Sequence, residues 1–204
     1  MKKHLSVIMF LVFCAFPLSL FADGKTISKG TMEFGLGPVF GITLWTGSAY
    51  EDDLRKTGFL IGSGATRFNT GYFIINGLSV GGTISYSSNK VKGAADPSTV
   101  FSFGPVVKYY FPIKNRFLVA AKGLFEIKST KTPGAADAAN QLSFGGGGAA
   151  TYMLNKNIGV YGGLDILFFL DEKISGTATP NTSYTKIDLN AGVTIFLKDW
   201  KPVK

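Results

Sequence analysis

The chain has 204 residues, with 21 Lys and Arg against 13 Asp and Glu, a formal net charge of +8, and a single Cys and a single His. Gly and Phe are abundant, at 26 and 18 copies, which speaks against a soluble helical protein: Gly weakens helices, and so much Phe needs a large apolar environment. The basic residues are dispersed singly instead of gathering in one patch, so the charge does not call for nucleic acid; it suits solvated ends and loops, or an anionic surface.

Lys2 and Lys3 precede an apolar run from Leu5 to Leu20, and Ala22 stands before the first acid, Asp23. This is the pattern of a cleaved secretory signal peptide over residues 1–22; its apolar stretch falls short of the ~20 residues a spanning helix needs. No second apolar run of that length follows. Cys14 and His4 both lie within the signal, so the 182-residue remainder holds no thiol and no imidazole, and its balance becomes 19 against 13, or +6. A lipoprotein signal would make Cys14 the acylated residue, but bulky Phe13 at the cut disfavours it. Disulfides, thiolate chemistry and mechanisms with a histidine base are thereby excluded.

Past a short segment, 23–30, eight stretches of period-two alternation follow in chain order: Thr31–Leu44, Gly58–Ile74, Leu78–Ser87, Thr99–Phe111, Phe117–Lys128, Gln141–Leu154, Ile158–Leu170 and Tyr184–Leu197. Each is about ten residues or longer, the length that carries a tilted strand across a bilayer. Pro38 and Pro105 fall inside the first and fourth stretches, and the lost N–H predicts local bulges there. In the second, Phe59 and Ile61 keep one phase and Phe68, Tyr72 and Ile74 the other, so a bulge is expected at Gly62–Gly64. In the fifth, Phe117, Val119, Ala121, Gly123, Phe125 and Ile127 oppose Leu118, Ala120, Lys122, Leu124, Glu126 and Lys128. Gly145–Gly148 lacks the lysine and hydroxyl of a phosphate loop and fits a sharply curving strand. In the eighth, Thr185, Ile187, Leu189, Ala191, Val193, Ile195 and Leu197 oppose a mostly polar set.

The connections alternate in length. Ile75–Gly77, Pro112–Arg116 and Asn155–Asn157 are short, whereas Trp45–Thr57, Ser88–Ser98, Ser129–Asn140 and Asp171–Ser183 are long and polar. Short turns on one rim and long loops on the other predict an all-β fold: an eight-stranded antiparallel up-and-down transmembrane β-barrel over residues 31–197, with a periplasmic tail at 198–204. Tyr72, Tyr110 and Tyr152 recur before the short turns and are expected at the periplasmic membrane interface. The faces assigned inward contribute Glu33, Arg67, Lys108, Lys122, Glu126, Asp165, Lys186 and Asp188, charges of both signs that must pair in so narrow a space.

The chain resembles the small outer-membrane β-barrel family typified by OmpX and the transmembrane part of OmpA. The resemblance rests on Gly71–Gly81, similar to that family's first periplasmic hairpin, and on Asn190–Leu197, in which Asn190, Gly192, Ile195 and Leu197 resemble the signal read by the barrel-assembly machinery. It departs from the usual ending because Lys198–Lys204 follows the strand. The resemblance implies an outer-membrane location, lipid and the assembly machinery as partners, and no catalytic or ligand residue to transfer.

Asp52-Asp53 and Asp171-Glu172 are read as solvating loop acids, and Asp171, Asn181 and Thr182 lack the spacing of a metal site. The expectation is therefore a monomeric, non-enzymatic surface protein without cofactor, metal or nucleic-acid partner, acting through its loops. Periodicity alone leaves open which face points inward. A soluble lipocalin-like barrel with an apolar cavity, and a narrow low-conductance porin, are the alternatives.

Overall fold

The computed structural model describes residues 27–44, 59–61, 65–89, 97–114, 116–132, 134, 137–170, 173–174, 177–178 and 183–198. Among these there is no helix; the long strands are β1 (Met32–Leu44), β2 (Ala65–Ile75), β3 (Leu78–Asn89), β4 (Ser98–Lys114), β5 (Phe117–Lys131), β6 (Ala139–Met153), β7 (Ile158–Phe169) and β8 (Tyr184–Leu197). Each pairs antiparallel with its neighbours in sequence, and β1 pairs with β8 from Met32↔Leu197 to Leu44↔Thr185. The sheet is a closed eight-stranded barrel. Closure leaves no edge, so each of the eight strands has a ladder partner on both sides.

Short additional strands lengthen the loop side. Phe59–Ile61 pairs with the end of β1, and Lys173–Ile174 pairs with both Ala139–Asn140 and Thr177–Ala178. Two residues separate Val39 from Ile42 on β1, while three separate their partners Ala65 and Ile61. The register thus shifts by one residue where the phase of the sequence changes; residues 62–64 themselves lie outside the described set.

The short-turn rim is knitted tightly. Asn76–Gly77 joins β2 to β3 with Gly77 at φ 80°, the left-handed conformation that a two-residue hairpin demands and glycine adopts freely. The segment before β1 is fastened beneath it: the Gly77 N–H donates to the Ile27 carbonyl at 2.9 Å and the Gly30 N–H to the Phe73 carbonyl at 2.9 Å. Asn157, in the β6–β7 turn, donates from Nδ2 to the Phe196 carbonyl at 2.6 Å and ties that hairpin to β8.

Neither proline produces the expected bulge. Pairing of β1 with β8 skips from Leu36↔Val193 to Val39↔Asn190, and of β4 with β5 from Phe103↔Ile127 to Val106↔Leu124, with no residue inserted in either case. A glycine precedes each proline and points inward. A Cβ at Gly37 would lie against the Ala191 carbonyl, and one at Gly104 against the Phe125 carbonyl. The backbones approach so closely at these corners that the strand bends in register, opening two rungs in place of inserting a residue.

The outer face is apolar. Leu36, Phe68, Ile84, Phe103, Phe125, Phe144, Leu164, Phe168, Leu189 and Val193 are all exposed, whereas Glu33, Arg67, Asp165 and Asp188 are buried within. This is the reverse of a soluble ligand-binding barrel, which keeps its apolar residues inside, so the lipocalin-like alternative falls. An exterior of this kind is at home in hydrocarbon.

The facing predicts a contrast between two nearby arginine substitutions on β8. Leu189 points outward and Lys186 bonds to Asp188 inside. Leu189→Arg should lower folding stability in lipid vesicles by about 2–4 kcal/mol if it lies near the bilayer midplane, with Lys186→Arg close to wild type. Urea titration of tryptophan fluorescence would measure both, and equal losses would contradict the facing.

Candidate functional site

The barrel interior gathers most of the chain's described polar chemistry, in three layers between the two rims. Inward positions on a strand alternate with outward ones, so each strand sends every second residue into the lumen. Nearest the short turns is an aromatic layer. Phe73 from β2, Tyr110 from β4 and Phe196 from β8 pack with ring centroids 5.5, 6.1 and 5.8 Å apart. Leu118 and Ala120 complete it, with Ile27 and Met153 against its edge.

Above that layer Glu33 takes three donors. Lys108 Nζ lies 2.6 Å from Oε1, the Tyr110 hydroxyl donates to the same oxygen at 2.7 Å, and the Ser79 hydroxyl donates to Oε2 at 3.4 Å. A chamber of about 30 Å³ adjoins this cluster, bordered also by Asn69, Lys122, Tyr161 and Thr194. Such a space is polar and large enough for one or two waters. It is too small for a solute.

The middle layer centres on Arg67. Its Nη1 is 3.0 Å from Asp165 Oδ2, and its Nη2 is 3.4 Å from Asp188 Oδ2 and 3.3 Å from Glu126 Oε1. Lys122 pairs with Asp165 Oδ1 at 2.8 Å, Lys186 with Asp188 Oδ1 at 2.8 Å, and Asn190 Nδ2 donates to Asp165 Oδ2 at 2.9 Å. A planar guanidinium with several rigid donors suits this multiple contact, which a lysine's point charge would not reproduce. The eight charged residues assigned inward from sequence all stand inside, four cations with four anions, each in at least one ion pair.

Towards the loops the interior becomes apolar again. Val106, Leu124, Leu167 and Phe169 form a buried cluster, against which Tyr184 packs. The rings of Phe169 and Tyr184 stack at 4.5 Å and 9°. Lys128 Nζ lies 5.3 and 5.4 Å from the two ring centroids and donates to the Tyr184 hydroxyl at 2.9 Å. Its ammonium is held by the electron-rich ring faces as well as by that hydrogen bond.

Tyr110 corrects the sequence reading. Tyr72 and Tyr152 face outward, but Tyr110 is buried, and its neighbours Tyr109 and Phe111 take the outer side, their rings 4.7 Å apart. The β2–β3 and β4–β5 turns are alike, two residues after the pairs Ile75↔Leu78 and Lys114↔Phe117, but Tyr110 stands one residue farther from its turn than Tyr72 does, so that Phe111 takes the outward place. Side-chain parity therefore reverses for the tyrosine of that unit. The aromatic and apolar layers were not singled out from sequence, although the alternation that places Phe196 opposite Ile195 was the signal for them. Of the assembly-signal residues, Asn190 points inward to Asp165, Gly192 abuts the β1 backbone at Gly37, and Ile195 is exposed outward. Leu197 pairs with Met32 at the end of the closing ladder. Asp52, Asp53, Asp171, Glu172, Asn181 and Thr182 lie outside the described residues.

Comparison with solved structures finds the same architecture in proteins of low sequence identity. Neisserial surface protein A superposes with a TM-score of 0.57 at 16% identity, over 82% of this chain and 99% of that one. The outer membrane protein OprG from Pseudomonas aeruginosa gives 0.55 at 11%, over 86% and 100%. The outer membrane protein AlkL, determined in DMPC lipid bilayers, gives 0.52 at 13%, over 90% and 97%. No protein-family model and no curated protein matches the sequence. The chain therefore has the fold of the small eight-stranded outer-membrane barrels.

The Arg67 cluster should dominate interior stability. Arg67→Met removes the cation 3.3 Å from Glu126 and strips one from Asp165 and Asp188, and breaking a buried pair in this way costs about 3–5 kcal/mol. Urea unfolding in vesicles should register a loss of that order, whereas Ser85→Ala, which removes only the 2.6 Å hydrogen bond between the Ser85 and Ser102 hydroxyls, should cost less than about 1.5 kcal/mol. An Arg67→Met protein as stable as wild type would mean the cluster contributes nothing.

Proposed function

We propose that this protein is exported on its N-terminal signal and assembled as a monomeric, non-enzymatic outer-membrane barrel, with its short turns toward the periplasm. On this reading it works at the cell surface, through the four long loops, while its lumen stays closed to solutes. The observation that carries the proposal is the inversion of the barrel: an apolar exterior around an interior of paired charges. Only a lipid surround makes that arrangement favourable, because each outward Phe, Leu and Ile would otherwise be left in water.

The filled interior supports a structural or surface-interaction role over transport. An eight-stranded barrel has room for little beyond its own side chains. Here the aromatic layer at Phe73, Tyr110 and Phe196 and the ion pairs around Arg67 lie one above the other across that width. The solved structures of like fold are described as a surface protein and as outer membrane proteins, which agrees with this location. The closing strand, with Asn190, Gly192, Ile195 and Leu197, is proposed as the segment read by the barrel-assembly machinery during insertion.

Two experiments test these statements separately. Cell fractionation should recover the protein with outer membranes, and unboiled samples should migrate differently from boiled ones on a gel, since a closed ladder persists in cold detergent; recovery in the soluble periplasm would end the membrane reading. In planar bilayers the purified protein should give only small, irregular currents as the interior network fluctuates. Stable, large unitary steps would instead make it a transport protein.

A further inference from the structure

The charge outside the lumen is distributed unevenly between the two rims. The four long connections, Trp45–Thr57, Ser88–Ser98, Ser129–Asn140 and Asp171–Ser183, hold seven Asp and Glu against six Lys and Arg. The short-turn rim is different. The stretches on that side, 23–30, 112–116, 155–157 and 198–204, hold eight Lys and Arg against Asp23 and Asp199, and Lys29, Arg116, Lys156 and Lys198 are exposed.

These bases encircle the barrel. Lys29 sits against the β2–β3 turn, where its N–H donates to Asn76 Oδ1 at 2.9 Å. Arg116 occupies the β4–β5 turn, Lys156 the β6–β7 turn, and Lys198 follows β8. The same rim carries exposed apolar groups, namely Ile75, Ile113 and Leu154, and an outward aromatic belt of Tyr72, Tyr109, Phe117 and Tyr152. Phe117 and Tyr152 pack at 5.0 Å. Aromatic side chains of this kind settle at the headgroup level of a bilayer.

Turns this short hold their cations close to the belt. The charges therefore stand at the depth of the lipid phosphates, not out in solution, where a protein or polymer would meet them. Basic side chains at that depth bind anionic headgroups, and each contributes independently. Balanced loops give no such attraction on the other side.

We infer that the short-turn rim is a binding surface for anionic phospholipid headgroups, which form a preferred ring around that end of the barrel. The inference rests on the membrane-embedded reading above. It goes beyond that reading in assigning a lipid class and a leaflet-facing surface to particular residues.

The test is electron paramagnetic resonance of spin-labelled phosphatidylglycerol and phosphatidylcholine, each at trace level in phosphatidylcholine vesicles holding the purified full chain. Orientation in the vesicle does not matter, since the rim meets headgroups of whichever leaflet it occupies. At low salt, phosphatidylglycerol should associate with the protein at least about threefold more strongly than phosphatidylcholine. The preference should shrink in about 0.5 M salt, where screening reaches only a few ångström. It should disappear in the combined Lys29→Gln, Arg116→Gln, Lys156→Gln, Lys198→Gln protein and survive in the loop-side Lys131→Gln, Lys173→Gln control. Retention of the heat-dependent gel shift verifies that each variant is folded. If the fourfold variant does not fold, the pairs Lys29/Lys198 and Arg116/Lys156 replace it, each expected to remove part of the preference. Equal association of the two lipids, a preference that outlasts the rim substitutions, or one lost equally in the loop-side control would overturn the inference while leaving the barrel in its membrane. Absence of motionally restricted lipid of either kind would overturn the membrane reading itself.

Discussion

Closure of the ladder between β1 and β8 is the constraint on which the rest of the structure depends. In hydrocarbon an open strand edge would leave a row of N–H and carbonyl groups without water, at a cost of several kcal/mol for each. Closing the sheet removes that cost, but it fixes the strand number and with it the width of the lumen. At eight strands the lumen must be filled by side chains. An outer face that meets lipid must be apolar, so alternation along each strand leaves the polar residues to do the filling. Charge pairing inside the barrel is thus a consequence of closure.

Much of this was legible because period two is so simple a signal. The strand limits read from alternation lie within three residues of the observed ones at nearly every end, and once the apolar face is set toward lipid, parity assigns the eight inward charges. What the tyrosine repeat could not supply was the distance of each ring from its turn. Tyr110 groups with Tyr72 and Tyr152 as a rim residue by its place in the repeat, yet it stands one residue farther from its turn than Tyr72, shares the face of inward Lys108 and reaches Glu33. Nor could sequence order show which charged residue meets which. Arg67 and Asp188 are 121 positions apart and become neighbours only through closure.

The two prolines illustrate a compromise between local chemistry and global shape. Each removes a ladder donor, and each follows an inward glycine, at Gly37-Pro38 and Gly104-Pro105. The affected seams are β1–β8 and β4–β5, which are four strands apart around a barrel of eight and so lie opposite one another. The missing rungs coincide with places where a narrow sheet must turn sharply and a Cβ would collide with the neighbouring backbone. Residues that would weaken a flat sheet are placed where curvature already strains the ladder. A bulge, by contrast, would have shifted every side chain beyond it to the wrong face.

That last point bears on what the ion-pair layer contributes. Buried salt bridges add little net stability, because removing the ions from water costs about as much as their attraction returns. Their effect here lies in the difference between registers. Sliding any strand but β3 or β6, which hold no charge, by a single residue would move its inward charge from the lumen into lipid, and would also leave the former partners inside unpaired. For β2 the charge is Arg67, which touches residues of β5, β7 and β8 at once. A slip of β2 is therefore penalised through three other strands, even though it pairs directly with only β1 and β3. The apolar exterior favours insertion of any suitably alternating barrel, whereas the Arg67 cluster distinguishes this register from its neighbours. Burial in lipid and pairing in the lumen thus act on different alternatives, the first against the unfolded chain and the second against the misaligned sheet.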